Sequence, residues 1–113
     1  MQRSKDSGLY KAVNLENIAA MKSLLEGGAN PNAEEHNGGW VLYPLHRAAA
    51  IGSLDACKML YENGAVLNCL DYADRTPLDL ANMYSNNPQL IDYLKAHGAL
   101  SNAPDAKTPR MDG

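Results

Sequence analysis

The segment YPLHRAA, residues 43–49, places His46 directly beside Arg47. An imidazole can act as a general base or bind a metal, and a guanidinium can bind an anion, so this pair could belong to an active site. The other two histidines, His36 and His97, give no pair at the i, i+4 spacing with which a helix holds a metal. We therefore expect no metal site, and the role of His46 depends on the elements around it.

Two cysteines, Cys57 and Cys69, are the candidate nucleophiles. A catalytic thiolate needs a lowered pKa and a nearby base. Cys57 is expected on the apolar face of a helix, and Cys69 in a connecting segment without an adjacent base. The sequence also lacks a glycine-rich phosphate loop and a G-x-S-x-G motif. These observations predict a protein that is not an enzyme and has no catalytic residue and no cofactor.

Composition limits the classes of partner. The chain has 113 residues and a net charge of −3, and no stretch gathers the lysines and arginines that follow a phosphate backbone, so we expect no nucleic-acid binding. No apolar run approaches the roughly 20 residues of a membrane span, and the N-terminal residues lack the apolar segment of a signal peptide. We predict no membrane association. Two cysteines are typical of reduced thiols, which favours an intracellular, cytoplasmic protein, with the nucleus as an alternative.

The sequence repeats itself at intervals of 33 and 36 residues. A shift of 33 aligns PLHRAAAI, residues 44–51, with PLDLANMY, residues 77–84, and a shift of 36 aligns residues 8–22 with residues 44–58. The units end alike, in LLEGGANPN, LYENGAVLN and LKAHGAL. Such a period is typical of stacked units, each of which cannot bury its apolar face alone. We predict a short solenoid of three units.

Each unit is predicted to contain a helix, a turn, a second helix and an extended crossover. In the second unit, Pro44 suits the first helical position, Gly52 ends that helix, and a second helix begins near Ser53. Gly64 and Gly98 are expected to close second helices with a positive φ.

The starts of the first helices differ between units. Thr76 can cap its helix through the hydroxyl, and Asp79, three residues later, completes a capping box. Tyr43 stands at the matching position of the second unit, where a phenol cannot reach back as a threonine hydroxyl does. We expect that helix start to depend on packing instead.

Together these motifs resemble the ankyrin repeat over about residues 8–100, and the matching residues are Thr76-Pro77-Leu78, Pro44-Leu45-His46 with Ala48-Ala49, and the Gly-Ala pairs at 28–29, 64–65 and 98–99. The resemblance implies an all-α fold, an α-solenoid of three ankyrin-like helix-turn-helix repeats with short β-hairpin fingers. In similar proteins the histidine of this motif ties neighbouring loops together by hydrogen bonds. A structural role is therefore implied for His46.

Domain boundaries follow from the same comparison. The repeats are expected at about residues 8–40, 41–73 and 74–100, and residues 1–7 and 101–113 are expected to be flexible tails. The sequence departs from the family pattern in three places. The first unit lacks the Thr-Pro-Leu-His start, the first crossover is longer by about three residues, and the turn of the third unit, residues 85–88, carries one extra residue.

A concave face made of fingers and first helices is the usual binding face of the ankyrin family. Mapping this sequence onto it places along the face Trp40, Leu42, Ile51, Tyr72, Ala73, Arg75, Met83 and Tyr84. Tryptophan, tyrosine, methionine and arginine are enriched at the cores of protein interfaces. We therefore predict a monomeric, non-catalytic protein-interaction module, an adaptor or inhibitor that binds another protein through this face.

Two alternatives remain open. Trp40 and Leu42 could fold back over the longer first finger while Met83 fills a gap, in which case they are not anchors. The chain could also be a regulatory or structural ankyrin domain cut from a larger protein, such as an enzyme or a channel.

Overall fold

The computed structural model describes residues 2–37 and 40–102, with side chains for residues 6–36 and 41–102. Three helix pairs follow one another along the chain. The elements are α1 (Gln2–Asn14), α2 (Ile18–Glu26), β1 (Glu35–Asn37), β2 (Trp40–Leu42), α3 (Pro44–Ile51), α4 (Leu54–Glu62), α5 (Pro77–Leu80), a π-helical turn (Ala81–Ser85) and α6 (Pro88–Ala96). Among the described residues, none of these helices is long and apolar enough to cross a membrane.

The pairs stack in register. α1 packs against α2 and α3, α3 packs against α4 and α5, and α4 packs between α2 and α6. First helices therefore form one layer and second helices the other, which confirms the predicted all-α solenoid of three helix-turn-helix units. Alanines at the contacts between units allow close approach, as at the fully buried Ala48, Ala49 and Ala56. Leucines fill the remaining space, and the buried apolar residues from Leu9 to Ala99 form one core cluster.

The first crossover forms the predicted hairpin finger. β1 and β2 pair antiparallel with Glu35 opposite Leu42. The second crossover, residues 68–76, contains no strand among its described residues, and the Tyr72 amide donates instead to the Val41 carbonyl at 2.7 Å. The two crossovers are therefore joined to each other.

Helix starts are fixed by side-chain caps. The Thr76–Asp79 capping box is present, with Asp79 N donating to Thr76 Oγ1 at 3.2 Å and Thr76 N donating to Asp79 Oδ2 at 2.9 Å. The expectation for Tyr43 was wrong in one respect, because Tyr43 N donates to His46 Nδ1 at 3.2 Å. Half of a capping box is thus supplied by an imidazole, while the Tyr43 phenol points away to Glu34.

The helix ends also follow the pattern. Gly64 and Gly98 have φ of 101° and 98°, as predicted. The extra residue in the third unit is absorbed by the π-helical turn, in which Asn86 N donates to Ala81 O at 2.8 Å, five residues back. Asn86 then takes a left-handed φ of 49° to end the helix.

Residues 2–7, expected to be a tail, are helical in the structure and form the beginning of α1. These residues are polar and show no apolar periodicity, so a helix before Gly8 was not predicted. Asp6 accepts a hydrogen bond from Asn30 N at 2.9 Å, which fixes this turn against the end of α2. In the other expected tail, Ser101 Oγ and Asn102 N donate to Asp79, and residues 103–113 lie outside the described residues.

One asparagine joins the first unit to the second, and another joins the second to the third; we call these two residues, Asn32 and Asn68, the asparagine clamps. Asn32 Nδ2 donates to Gly64 O at 2.9 Å, and its Oδ1 accepts from Val66 N at 2.7 Å. Asn68 repeats the pattern one unit later, with Gly98 O at 3.2 Å and Leu100 N at 2.8 Å. Each side chain satisfies one backbone carbonyl and one backbone N–H of the segment that follows a second helix.

Candidate functional site

His46, the residue that most resembled a catalytic group, is fully buried. Its Nδ1 accepts from Tyr43 N at 3.2 Å, and its Nε2 lies 2.7 Å from Arg75 O, which makes Nε2 the protonated nitrogen. Burial lowers the pKa of His46, although the hydrogen bond to Arg75 O opposes that shift. Both ring nitrogens of a neutral imidazole are engaged, so His46 ties α3 to the second crossover, in agreement with the structural role implied by the resemblance.

Tyr10 is the counterpart of His46 in the first unit, 36 residues earlier. Its hydroxyl contacts the carbonyl oxygens of Ala33 and Leu42. Leu42 precedes Tyr43 as Arg75 precedes Thr76, so the two side chains reach equivalent carbonyls. The Tyr10 hydroxyl in the first unit thus makes the same contact with the following crossover that the His46 imidazole makes in the second.

Neither cysteine has the surroundings of a nucleophile. Cys57 is buried, and burial raises its pKa to about 12. Burial also raises the pKa of the half-buried Cys69 to about 12, although its Sγ lies 3.9 Å from His46 Nδ1. That proximity was not foreseen from sequence, since the two residues lie 23 positions apart. Both thiols are protonated at neutral pH, so neither is a ready nucleophile.

The remaining histidines have local partners. His36 Nε2 lies 3.0 Å from Glu34 Oε1 on the finger, and His97 Nδ1 lies 2.9 Å from Tyr93 O at the end of α6. Within the described part of the chain, no group of three histidine, cysteine, aspartate or glutamate side chains is arranged to hold a metal ion.

We define the candidate binding surface by the described members of the predicted set, Leu42, Ile51, Tyr72, Arg75, Met83 and Tyr84. Large apolar groups are exposed on it: Tyr84 is 61% exposed, Met83 51%, Tyr72 45% and Ile51 37%. Leu42 and Arg75 are half-buried, and Ala73 is exposed. Trp40 lies in β2 opposite Asn37, and its side chain is outside the described part of the structure.

Arg75 organises the centre of this surface. Its guanidinium donates to Asp71 Oδ2 from Nε at 3.0 Å, and Nη2 lies 3.0 Å from the same oxygen. The guanidinium also lies over the Tyr72 ring, 5.2 Å from the centroid, and interacts with the Tyr84 hydroxyl. The structure therefore brings together three of the predicted residues, Tyr72, Arg75 and Tyr84.

Asp71 fixes the loop that carries these groups. Its Oδ1 accepts from Ala73 N and Arg75 N, both at 2.9 Å. Burial alone would raise the pKa of Asp71, but the hydrogen bonds from Arg75 and Ala73 hold it below its ordinary value. An ionised Asp71 therefore joins the backbone at Ala73 and Arg75 to the Arg75 guanidinium.

One exposed residue of this region was missed from sequence. Leu15 follows α1 and is 70% exposed. It aligns with Ile51 at the shift of 36, and Tyr84 aligns with Ile51 at the shift of 33. The repeat alignment could have identified Leu15 as an exposed counterpart of Ile51. It was not included in the predicted binding face because the first unit lacks the recognisable start of the repeat.

Comparison with known proteins agrees with this architecture. A family model described as ankyrin repeats (3 copies) matches residues 9–105. The chain is 33% identical over 102 residues to transient receptor potential cation channel subfamily A member 1 of Drosophila melanogaster, covering 86% of this chain and 8% of that protein. It is 35% identical over 111 residues to a putative ankyrin repeat protein of Rickettsia bellii, covering 80% of this chain and 46% of that protein.

A third relative is the 2-5A-dependent ribonuclease of Homo sapiens, 44% identical over 57 residues, which are 50% of this chain and 7% of that protein. The chain thus spans less than half the length of each of these three relatives. Ankyrin repeats are generally protein-interaction modules and are typically non-catalytic. The family match covers most of the chain, and the three stacked helix pairs and their repeated motifs agree with it. This chain belongs to the ankyrin-repeat family.

Proposed function

We propose that this chain is a non-catalytic adaptor or inhibitor that binds another protein through the candidate binding surface. The observation that carries the proposal is the exposure of Ile51, Tyr72, Met83 and Tyr84 on neighbouring first helices and the second crossover. Large apolar side chains on adjacent elements are costly to leave in water, and a partner that covers them gains their burial.

The rigidity of the surface supports this proposal. Tyr72 is held by its backbone bond to Val41 O and by the Arg75 guanidinium over its ring. Because Arg75 is in turn fixed by Asp71, little side-chain freedom is lost when a partner binds. Masking or scaffolding by such a preformed face needs no chemistry from the repeats.

Trp40 is included in the proposed surface as a candidate anchor at the finger. It is the first residue of β2 and precedes Val41, whose carbonyl accepts the Tyr72 amide. Tryptophan is enriched among the residues that contribute most to binding at interfaces, which supports its inclusion.

The test is a capture experiment with matched variants. Wild-type protein is used to isolate a partner from native lysate, and the purified partner is then titrated against a Tyr72→Ala/Tyr84→Ala variant and a Val66→Ala/Leu100→Ala control. Val66 and Leu100 are also exposed, at 54% and 64%, but follow the second helices. We expect the first variant to bind at least about tenfold more weakly and the control to bind normally. Equal affinities would place the binding surface elsewhere.

A second candidate function is favoured by the lengths of the relatives. Two of them, a cation channel and a ribonuclease, are matched over 8% and 7% of their length, which supports a regulatory or structural ankyrin domain within a larger protein. An antibody against residues 8–100 distinguishes the two on a blot of native extract. A band near the 12.2 kDa of this chain supports the adaptor, and a much larger band supports the domain.

We also propose repeat boundaries at about residues 8–40, 41–73 and 74–100, a monomeric state, and an intracellular, cytoplasmic location without nucleic-acid or membrane partners. Free Cys57 and Cys69 support a reducing compartment. Size-exclusion chromatography with light scattering tests the monomer, and microscopy of the tagged protein tests the location.

A further inference from the structure

A cleft of about 810 Å³ lies between α1 and the first finger. It is lined by Asp6, Ser7, Tyr10, Ala33, Glu34, Glu35 and His36. Three of these side chains are carboxylates, and no lysine or arginine is among the described lining residues. The volume is in the range of sites that take a peptide side chain with its neighbours.

The carboxylates of the cleft are held in place by the protein itself. Asp6 Oδ1 accepts from Asn30 N, and Glu34 contacts His36 Nε2 at 3.0 Å with one oxygen and the Tyr43 hydroxyl at 3.1 Å with the other. A cationic group that enters the cleft therefore meets charges that need no further ordering.

Glu35 connects the cleft to the apolar part of the surface. Both of its bonds from Arg47, at 3.0 and 2.8 Å, go to Oε1, and Oε2 makes no hydrogen bond within the described part of the chain. Arg47 and Ile51 are four residues apart on α3 and thus share a face of that helix. The apolar surface continues from Ile51 to Met83 and Tyr84, because α3 packs against the π-helical turn that contains them.

Tyr10 lies inside the cleft, and its pKa is raised. Burial is the main cause, the nearby carboxylate of Glu35 raises the pKa further, and the guanidinium of Arg47 opposes this effect.

We propose that the partner of this surface is a basic peptide segment, whose lysine or arginine enters the cleft at Asp6, Glu34 and Glu35 while apolar side chains cover Ile51, Met83 and Tyr84. This inference rests on the proposed function and adds the chemistry of the partner. Charge complementarity at one end and apolar contact at the other fix the direction in which the segment lies. The net charge of −3 assists its approach.

The test begins with selection of random twelve-residue peptides on the folded protein, followed by titration of a selected peptide. We expect lysine or arginine to be enriched at a fixed distance from an aliphatic or aromatic residue. The Asp6→Asn/Glu34→Gln variant loses two charges, while the amide oxygen at each position can still accept a hydrogen bond. We expect it to bind the peptide about three- to tenfold more weakly at low salt and to show a weaker salt dependence.

The control is Glu26→Gln/Glu62→Gln, which removes two charges from exposed positions on α2 and α4. It should change the affinity less than about twofold. If selected peptides need Tyr72 and Tyr84 but show no basic preference, or if Asp6→Asn/Glu34→Gln binds like wild type, the inference is overturned and the proposed function stands. If no peptide is selected, or if the Tyr72→Ala/Tyr84→Ala variant binds the peptide with unchanged affinity, both this inference and the proposed binding surface are overturned.

Discussion

Gly52 and Ser85, from consecutive repeats, approach so closely that a side chain fits at only one of the two positions. A Cβ built on Gly52 would lie 2.8 Å from Ser85 Cβ. Ser85 Oγ donates to Ala49 O at 2.9 Å, so the serine is held against the end of α3. Gly52 also has a left-handed φ of 89°, which by itself disfavours other residues.

The first prediction compares two glycines. Gly64 has a similar φ of 101° but nothing within 4 Å of its would-be Cβ. Gly64→Ala therefore carries only backbone strain, and we expect a loss of about 1 kcal/mol in the free energy of unfolding. Gly52→Ala adds the clash with Ser85, and we expect about 2–4 kcal/mol. Urea denaturation measures both.

A double-mutant cycle isolates the clash. Ser85→Gly removes the atom that meets the new Cβ, so Gly52→Ala should cost about 1 kcal/mol less in that background. An unchanged cost would show that strain in φ alone explains the effect at Gly52.

The second prediction concerns the asparagine clamps. Asn68→Ala removes the bonds to Gly98 O and Leu100 N, and we expect a loss of about 1–2 kcal/mol in the free energy of unfolding. Asn82→Ala is the control, because Asn82 is exposed on the π-helical turn. Equal effects of the two substitutions on the urea midpoint would mean that the clamp adds no stability.

The third prediction concerns pH. Burial lowers the pKa of His46 below its ordinary 6.5, so the unfolded chain binds the proton more readily than the folded one. The stability contributed by the neutral imidazole is present above about pH 6.5 and is lost as the pH falls toward the lower folded pKa. We expect the free energy of unfolding to decrease between about pH 6.5 and 5.

His46→Gln should weaken that pH dependence while lowering stability at every pH, since glutamine does not titrate. His36→Gln, at an exposed position on the finger, is the matched substitution of a second histidine. A slope that persists in His46→Gln would assign the effect to another group.

The fourth prediction concerns thiol reactivity. The pKa of each thiol is raised to about 12, so both should react with a thiol reagent far more slowly than a free cysteine at pH 7.5. Cys69 should react first, because it is half-buried and Cys57 is fully buried. Mass spectrometry of Cys57→Ser and Cys69→Ser proteins gives the two rates separately. Equal rates would contradict the assignment of Cys57 to the core.

Much of the fold was predictable because its signals are local. The Thr76–Asp79 cap and the closing Gly64 and Gly98 depend on a few neighbouring residues and on a fixed period. Features that depend on contacts between repeats were not predictable from one unit. The contact of Cys69 with His46 joins residues that only the fold brings near each other.

The candidate binding surface shows the same division. The resemblance to ankyrin repeats predicted that Ile51, Met83 and Tyr84 are candidates for a shared face, and they are exposed on adjacent elements. The acidic cleft was not predicted, since Asp6 belongs to a helix that extends beyond the recognisable repeat. Glu34 and Glu35 lie in the first crossover, which is longer than the family pattern, so their positions could not be predicted from the repeat.

The asparagine clamps have a mechanical consequence. Asn32 and Asn68 each join one repeat to the next by two hydrogen bonds, and each repeat packs only on its neighbours. Tension applied to the two ends of the domain therefore passes through these junctions in series. The repeats would detach one at a time under load, so the domain would lengthen in steps and behave as a weak spring between whatever is attached to its ends.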